Sequence, residues 1–512
     1  MAIVQPIEPT SDGRRRLSLR SPIGRAPIDE ITVMNAGEVQ EAIARAREAQ
    51  RLWGARSPEE RARIVGRALD VLLRRQEDVI ATVRRETGKT RVDALAIEII
   101  SSCDFINYWT GRAPKDLADE KRKMHGYLKP LRKLVIQYQP LGVVGVITPW
   151  NGPFVLSMNA CVQALLAGNA VLLKPSEVTP RSGGLAGEIL IEAGVPEGVI
   201  QVLHGDGETG AALVSGGVDK IAFTGSVATG RKIAVACAEQ LIPYTLELGG
   251  KDPMIVCEDA NLERAAAGAV YLSMFNTGQV CLAVERVYAV ESIADALIEK
   301  IREKVEALRY GPGDDTDLGA IFWDRQLEII DRQVQDAREK GAKVLTGGKP
   351  ALTDEGLFYP PTLLTDVTHD MDVMREETFG PVLAVMRVKD EDEAIRLAND
   401  SKYGLSASVF TTDDDKALRI ARQLVSGTVM QNDAATIYGV PEAPFGGRKH
   451  SGVGQVNGQQ GVRSYAYAHP VVLDRWKLDR EDIWFPLTER TTKTLEKTIE
   501  IAFSRPLRRL MR

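Results

Sequence analysis

The sequence is 512 residues long, 44% hydrophobic and 26% charged, with a formal net charge of −5. That length exceeds what one hydrophobic core organises, so two or more domains are expected. The small negative charge argues against a broad nucleic-acid surface, which needs a basic field.

In chain order, residues 1–20 carry no apolar core of the signal-peptide kind, and Arg14-Arg15-Arg16 reads as a solvated arm. Between residues 37 and 87, Val39, Ala42, Ile43 and Ala46, then Ile64, Ala68, Val71 and Leu72, recur at helical spacing. A further helical stretch is expected to about residue 111.

Near residue 134 the pattern changes. Leu134-Val135-Ile136-Gln137-Tyr138 reads as a strand turned by Pro140-Leu141-Gly142, and Val143-Val144-Gly145-Val146-Ile147 as a buried strand ended by Pro149. Strand-like runs recur at 170–175, 198–203 and 220–225, with helical segments between them. Short apolar strands separated by helices predict a parallel sheet covered on both faces, with ligands at the carboxyl ends of its strands. Segments 148–151, 174–177, 205–210 and 224–230 are therefore expected to converge on one ligand. The alternation restarts after residue 250, with strand-like runs at 254–256, 286–290, 344–345, 381–386 and 406–410, which predicts a second α/β domain.

The apolar-rich stretch from Ala160 to Leu173 is interrupted by Gln163 and Asn169 and is too short to span a bilayer. At the other end of the chain, Leu495, Ile499 and Ala502 keep helical spacing and Arg505, Arg508, Arg509 and Arg512 follow. Subunit packing or a solvated helix is the expected role of this segment, and contact with an anionic membrane surface is the alternative.

The five cysteines, Cys103, Cys161, Cys237, Cys257 and Cys281, form no CxxC pair and no zinc-spaced cluster, and HExxH does not occur. A cytoplasmic protein without a metal is expected. Gly205-Asp206-Gly207-Glu208-Thr209-Gly210 matches GxGxxG after a strand, but Asp206 and Glu208 would repel a pyrophosphate. Gly225-Ser226-Val227-Ala228-Thr229-Gly230 opens a helix whose free N–H groups suit an anion better. It is not a P-loop, because Arg231-Lys232-Ile233 follow where Lys and then Ser or Thr are needed.

Five further motifs carry more. Thr148-Pro149-Trp150-Asn151 precedes Glu247-Leu248-Gly249-Gly250-Lys251, and Phe275-Asn276-Thr277-Gly278-Gln279-Val280-Cys281 follows, with 34 positions from Glu247 to Cys281. Downstream lie Glu376-Glu377-Thr378-Phe379-Gly380-Pro381-Val382 and Pro444-Phe445-Gly446-Gly447. In this order, from about residue 35 to residue 470, they resemble the aldehyde dehydrogenase superfamily. The residues from Gly278 to Arg286 are similar to a bacterial branch that includes some succinate-semialdehyde dehydrogenases.

The resemblance implies Cys281 as nucleophile, Glu247 as general base and Asn151 as oxyanion donor. It implies cofactor contacts at Thr148, Trp150, Lys174, Glu177, Gly207, Gly225, Ser226, Gly230, Leu248, Glu377 and Phe379. Gly207 then lies by the adenine and Glu177 by the adenosine ribose, where a carboxylate favours NAD over NADP. The implied build has a dinucleotide-binding domain at 1–119 and 141–249, a catalytic domain at 250–446, bridging segments at 120–140 and 462–480, and a helix with basic tail at 488–512. A homodimer or homotetramer follows from the same likeness. The neighbours Val280, Leu282 and Ala283 suggest an apolar wall suited to an aliphatic or aromatic aldehyde. A semialdehyde bearing a carboxylate needs a cation, for which Arg286 and Arg448 are candidates. A CoA-acylating relative is disfavoured by Glu247, and a catalytically idle scaffold by the intact Asn151, Glu247 and Cys281.

Overall fold

A computed structural model describes residues 2–7, 14–353, 356–434, 436–481 and 483–504. The sequence from 36 to 116 forms long helices because apolar residues recur on one face and caps mark the ends. Asn35 and Ser57 make capping boxes with Glu38 and Glu60 ahead of helices Ala36–Gly54 and Pro58–Thr87. Gly88, in the left-handed conformation, ends the second helix. A π-helical turn, Ala94–Ile100, leads into helix Ser101–Asp116.

The first large sheet has six strands in the order Gly452–Val453, Tyr244–Glu247, Lys220–Thr224, Val143–Ile147, Ala170–Lys174, Ile200–Val202. Five of them are parallel, and the first, added from far along the chain, is antiparallel. Val143–Ile147 and Ala170–Lys174 are buried throughout, as expected for strands covered on both faces. The connections reverse at Val143–Ile147, which pairs with both Lys220–Thr224 and Ala170–Lys174. That switch point opens a crevice at the carboxyl ends.

The second large sheet has seven strands in the order Lys343–Thr346, Thr362–Thr365, Val382–Val388, Val284–Val290, Asp252–Val256, Ser408–Phe410, Met430–Gln431. All pairings but that of Lys343–Thr346 are parallel. A third sheet joins Glu120–Arg122, Arg132–Pro140 and Ala466–Asp474 into a projecting antiparallel arm. The fold is therefore α/β, with two large parallel-rich sheets and smaller antiparallel ones.

Three features differ from expectation. Residues 4–32 hold a three-stranded antiparallel sheet, Val4–Ile7, Arg16–Arg20 and Pro27–Thr32. The arginine cluster is not a solvated arm: Arg14 pairs with Glu38, Arg15 with Asp206 and Glu208, and Arg16 opens a strand. Strands Thr362–Thr365, Met430–Gln431 and Gly452–Val453 are too short to show a sequence period. Among the described residues, no helix is long and apolar enough to cross a membrane.

Candidate active site

Asn151 stands four residues beyond the last residue of strand Val143–Ile147, where Pro149 ends the ladder and Pro153 starts the next helix. Its position is held from several sides. Its carbonyl accepts from Lys89 Nζ at 3.0 Å and from Asn276 Nδ2 at 3.1 Å. Its own Nδ2 donates to Gln279 O at 3.0 Å, which leaves a second amide hydrogen for another acceptor. Lys89 also pairs with Glu98 at 2.6 Å, with both side chains fully buried. The second oxygen of Glu98 accepts from the N–H groups of Phe154 and Val155 at 3.1 and 2.9 Å, capping the helix that follows Asn151.

Replacing Lys89 by methionine strands the Glu98 carboxylate in the interior. The expected loss of stability is about 3–5 kcal/mol, read from the denaturant midpoint. The double variant Lys89→Met/Glu98→Gln is expected to regain part of it, because no buried charge is then left unpaired.

The loop before Cys281 is a left-handed turn. Asn276, Thr277 and Gly278 have φ of 53°, 57° and 70° in succession. A Cβ on Gly278 would lie 2.1 Å from Gly380 O, so only glycine fits there. The turn folds Gln279 inward. Its side chain donates to Asn276 O and Ala320 O and accepts from Phe322 N, and it is wholly buried. Gln279 is thus the anchor of this turn. Cys281 itself is half-buried, as is Cys103, whereas Cys161, Cys237 and Cys257 are buried. Burial, with the nearby carboxylates of Glu377, Asp252 and Glu247, pushes the Cys281 thiol well above the usual cysteine range.

Glu247 ends strand Tyr244–Glu247, which is pinned on its open edge by Gly452–Val453 in antiparallel register. Leu248 N donates to Ser451 O at 2.9 Å and extends that clamp. Both carboxylate oxygens of Glu247 are buried without a hydrogen-bond partner. Burial alone raises its proton affinity well above the ordinary glutamate value. The next residues turn past Cys281 closely: a Cβ on Gly250 would lie 2.4 Å from Cys281 O. Asn151, Glu247 and Cys281, far apart in sequence, therefore meet at one place.

The expected cofactor residues lie at the carboxyl ends of the first sheet and on the segments that face them. Lys174 and Glu177 lie 3.4 Å apart at the end of strand Ala170–Lys174. Helix Gly207–Ser215 starts nearby: a Cβ on Gly210 would lie 4.0 Å from Lys174 Cδ, and one on Gly207 would meet open space. Ser226 caps helix Val227–Gln240, and Gly230 packs so closely on Leu248 that a Cβ would lie 2.6 Å from Leu248 Cδ2. Glu377 reaches across from the second sheet: Gly250 N donates to its Oε1 at 3.0 Å, and burial pushes its carboxyl up to about 8. Trp150 meets the Phe379 ring edge-on at 5.3 Å, with Phe322 and Trp323 beside it. Thr148 is buried, its hydroxyl bonded to Ser157 Oγ at 2.8 Å. The donors, glycines and aromatic walls fit a dinucleotide laid along the carboxyl ends of the sheet.

Two residues fall elsewhere. Arg286 is sealed in the core, where its guanidinium donates to Lys251 O, Tyr288 Oη and Ala398 O. Arg448 is exposed. Among the described residues, Cys257, Asp259 and Glu391 are grouped closely enough to hold an ion, but Lys416 Nζ already lies 2.8 Å from Asp259 and 3.3 Å from Glu391. Lys89 and Glu98 were missed from the sequence. A single Glu inside the apolar run Ala94-Leu95-Ala96-Ile97-Glu98-Ile99-Ile100 was the available signal, because a buried acid demands a partner.

A model of the Aldehyde dehydrogenase family matches residues 9–471. The chain is 39% identical to a 4,4'-diapolycopene aldehyde oxidase of Methylomonas sp, over 91% of this chain and 87% of that one. It is 38% identical to a putative succinate-semialdehyde dehydrogenase [NADP(+)] of Mycolicibacterium smegmatis, over 91% and 90%. Among solved structures it resembles a Mycobacterium tuberculosis aldehyde dehydrogenase complexed with NAD+, with TM-score 0.85, 35% identity and coverage of 90% and 94%. It also resembles an NAD-dependent aldehyde dehydrogenase of Sinorhizobium meliloti, with TM-score 0.88, 34% identity and coverage of 93% and 94%. With the crevice and the meeting of Cys281 and Glu247, these likenesses give the conclusion that the chain belongs to the aldehyde dehydrogenase family, the NAD(P)-dependent oxidoreductases that convert aldehydes to carboxylic acids.

Proposed function

We propose that this enzyme oxidises an apolar aliphatic or aromatic aldehyde through Cys281, Asn151 and Glu247, with NAD preferred over NADP. The observation that carries the reading is Glu247, a buried carboxylate with both oxygens unpartnered, within electrostatic reach of the Cys281 sulfur. The Cys281 thiol gives up its proton to water as Sγ attacks the carbonyl carbon, and the adduct is a thiohemiacetal. The free amide hydrogen of Asn151 and the backbone N–H of Cys281 hold the oxyanion, each contributing about 3–4 kcal/mol. Bound NAD(P) supplies the hydride acceptor that converts this adduct to a thioester. Glu247 then takes a proton from water, and the resulting hydroxide releases the carboxylic acid and frees Cys281.

Substrate class rests on the surroundings of the sulfur. Phe275, Val280, Ile437 and Tyr438 pack with Cys281 against one hydrophobic cluster. Leu282 and Ala283 turn into that core instead of forming the wall expected of them. Arg286 is committed to backbone carbonyls, which removes one candidate receptor for a substrate carboxylate. The names of several relatives keep succinic semialdehyde as the second reading.

Cofactor preference rests on Glu177. Its carboxylate accepts from a ribose hydroxyl and repels a 2′-phosphate. We also read the arm of Glu120–Arg122, Arg132–Pro140 and Ala466–Asp474 as the bridge to another subunit in a dimer or tetramer. Residues 1–119 and 141–249 are then the cofactor domain and 250–446 the catalytic one.

An aldehyde panel tests substrate and cofactor together by reduced-nicotinamide absorbance. A long-chain or aromatic aldehyde is expected to exceed succinic semialdehyde in kcat/KM by about 10²-fold, with NAD above NADP. A higher kcat/KM for succinic semialdehyde overturns the substrate reading, and faster turnover with NADP overturns the cofactor preference.

A further inference from the structure

The last described helix, Glu489–Phe503, is docked inside out. The side facing the protein carries Thr491, Thr494, Thr498 and Ala502, at i, i+3, i+7 and i+11. Leu495, Ile499 and Phe503, spaced four apart, face outward, with Ile499 62% exposed. A helix packed on its own chain buries its apolar stripe, and this one presents it. The sequence had suggested that Ala502 shares a face with Leu495 and Ile499, but Ala502 is buried.

The segment before it repeats the pattern. Trp476, Leu478, Ile483, Trp484, Phe485 and Leu487 are all exposed, Phe485 by 85%. They are not a loose end. Trp476 Nε1 donates to Pro130 O at 2.7 Å, Glu481 pairs with Arg132, and the helix packs against the turn Gly126–Leu128 of the arm.

This surface lies beyond residue 471, where the match to the family ends. Residues 475–504 are balanced, six basic against six acidic, and four arginines follow them in sequence. Residues 475–512 hold ten arginines and lysines against six acidic residues, a net of +4 in a chain of net −5, so residues 1–474 carry −9. Arg505, Arg508, Arg509 and Arg512 lie outside the described residues and enter only through this sum.

We propose that this C-terminal surface seats the enzyme on an anionic phospholipid bilayer. The outward Leu, Ile and Phe side chains enter the acyl boundary, the tryptophans lie at headgroup level and the basic residues meet the lipid phosphates. A second copy of the chain would also cover the apolar side chains, and the arm beside them is the one read as the bridge to another subunit. The tryptophans and the four arginines that follow the helix in sequence favour the bilayer.

Flotation of the full chain with phospholipid vesicles tests this. The protein is expected to float with vesicles containing phosphatidylglycerol and to remain largely behind with phosphatidylcholine alone. Raising salt from about 0.1 M to about 1 M shortens the screening length from about 10 Å to about 3 Å and is expected to lower the bound fraction several-fold. The variant Phe485→Asp/Ile499→Asp is expected to lose at least about tenfold in vesicle partition, with turnover of a short water-soluble aldehyde unchanged. Three results overturn the proposal: no flotation with anionic vesicles, a variant that floats as well as the parent, or a variant whose light-scattering mass falls, which shows that a second copy covers this face.

Discussion

Replacing Cys281 by alanine is expected to lower aldehyde-dependent formation of reduced nicotinamide by about 10⁴-fold or more, with the fold unchanged. Cys281 is half-buried, beyond a turn that Gln279 locks in place, and it sits at the margin of the core and not inside it. Cys161 is the control: it is wholly buried in the core around helix Pro153–Leu166. Cys161→Ala is expected to cost on the order of 1–2 kcal/mol of stability and to leave kcat unaltered. The opposite pairing, a destabilised but active Cys281→Ala, would make the thiol a packing residue and leave an idle scaffold as the better reading. The chemistry adds a second readout. Burial and three nearby carboxylates hold the Cys281 proton tightly, so alkylation by iodoacetamide is expected to be slow at neutral pH and to quicken as pH rises.

Sequence reasoning located the site through punctuation. Strand Val143–Ile147 stops at Pro149, strand Ala170–Lys174 at Pro175 and strand Lys220–Thr224 at Gly225, so the carboxyl ends could be named and Asn151, Lys174 and Ser226 with them. What holds those residues was hidden, because it depends on contacts between distant segments. Helical periodicity near Glu98 shows a helix, but neither the π-helical turn nor the ion pair with Lys89. Gly278 and polar Gln279 before Cys281 read as an open loop. Three successive left-handed residues turn Gln279 inside, and no periodicity encodes that. Gly452–Val453 pairs for only two residues, too few for a pattern, yet it fixes the edge on which Glu247 sits. Arg286 lies five residues past Cys281 and reads as a substrate receptor, but its strand is buried at every position and its guanidinium donates to backbone carbonyls.

Glu247→Gln separates the two halves of the reaction. Acylation of Cys281 does not use the water activated at Glu247, whereas hydrolysis of the thioester does. Stopped-flow absorbance is therefore expected to show a burst of reduced nicotinamide approaching one equivalent per site, followed by steady turnover slower by about 10²–10⁴-fold. Intact-mass analysis is expected to find Cys281 carrying the acyl group. The pH dependence gives the sign of the effect. Burial raises the proton affinity of Glu247, and a base works only when deprotonated, so steady-state kcat of the parent is expected to climb with pH through the neutral range. Glutamine has no proton to lose there, and the climb due to deacylation should flatten. A variant that loses the burst as fully as the steady state would place Glu247 in the activation of Cys281 instead. The two carboxylate oxygens without partners make either role possible in space, and the burst amplitude decides between them.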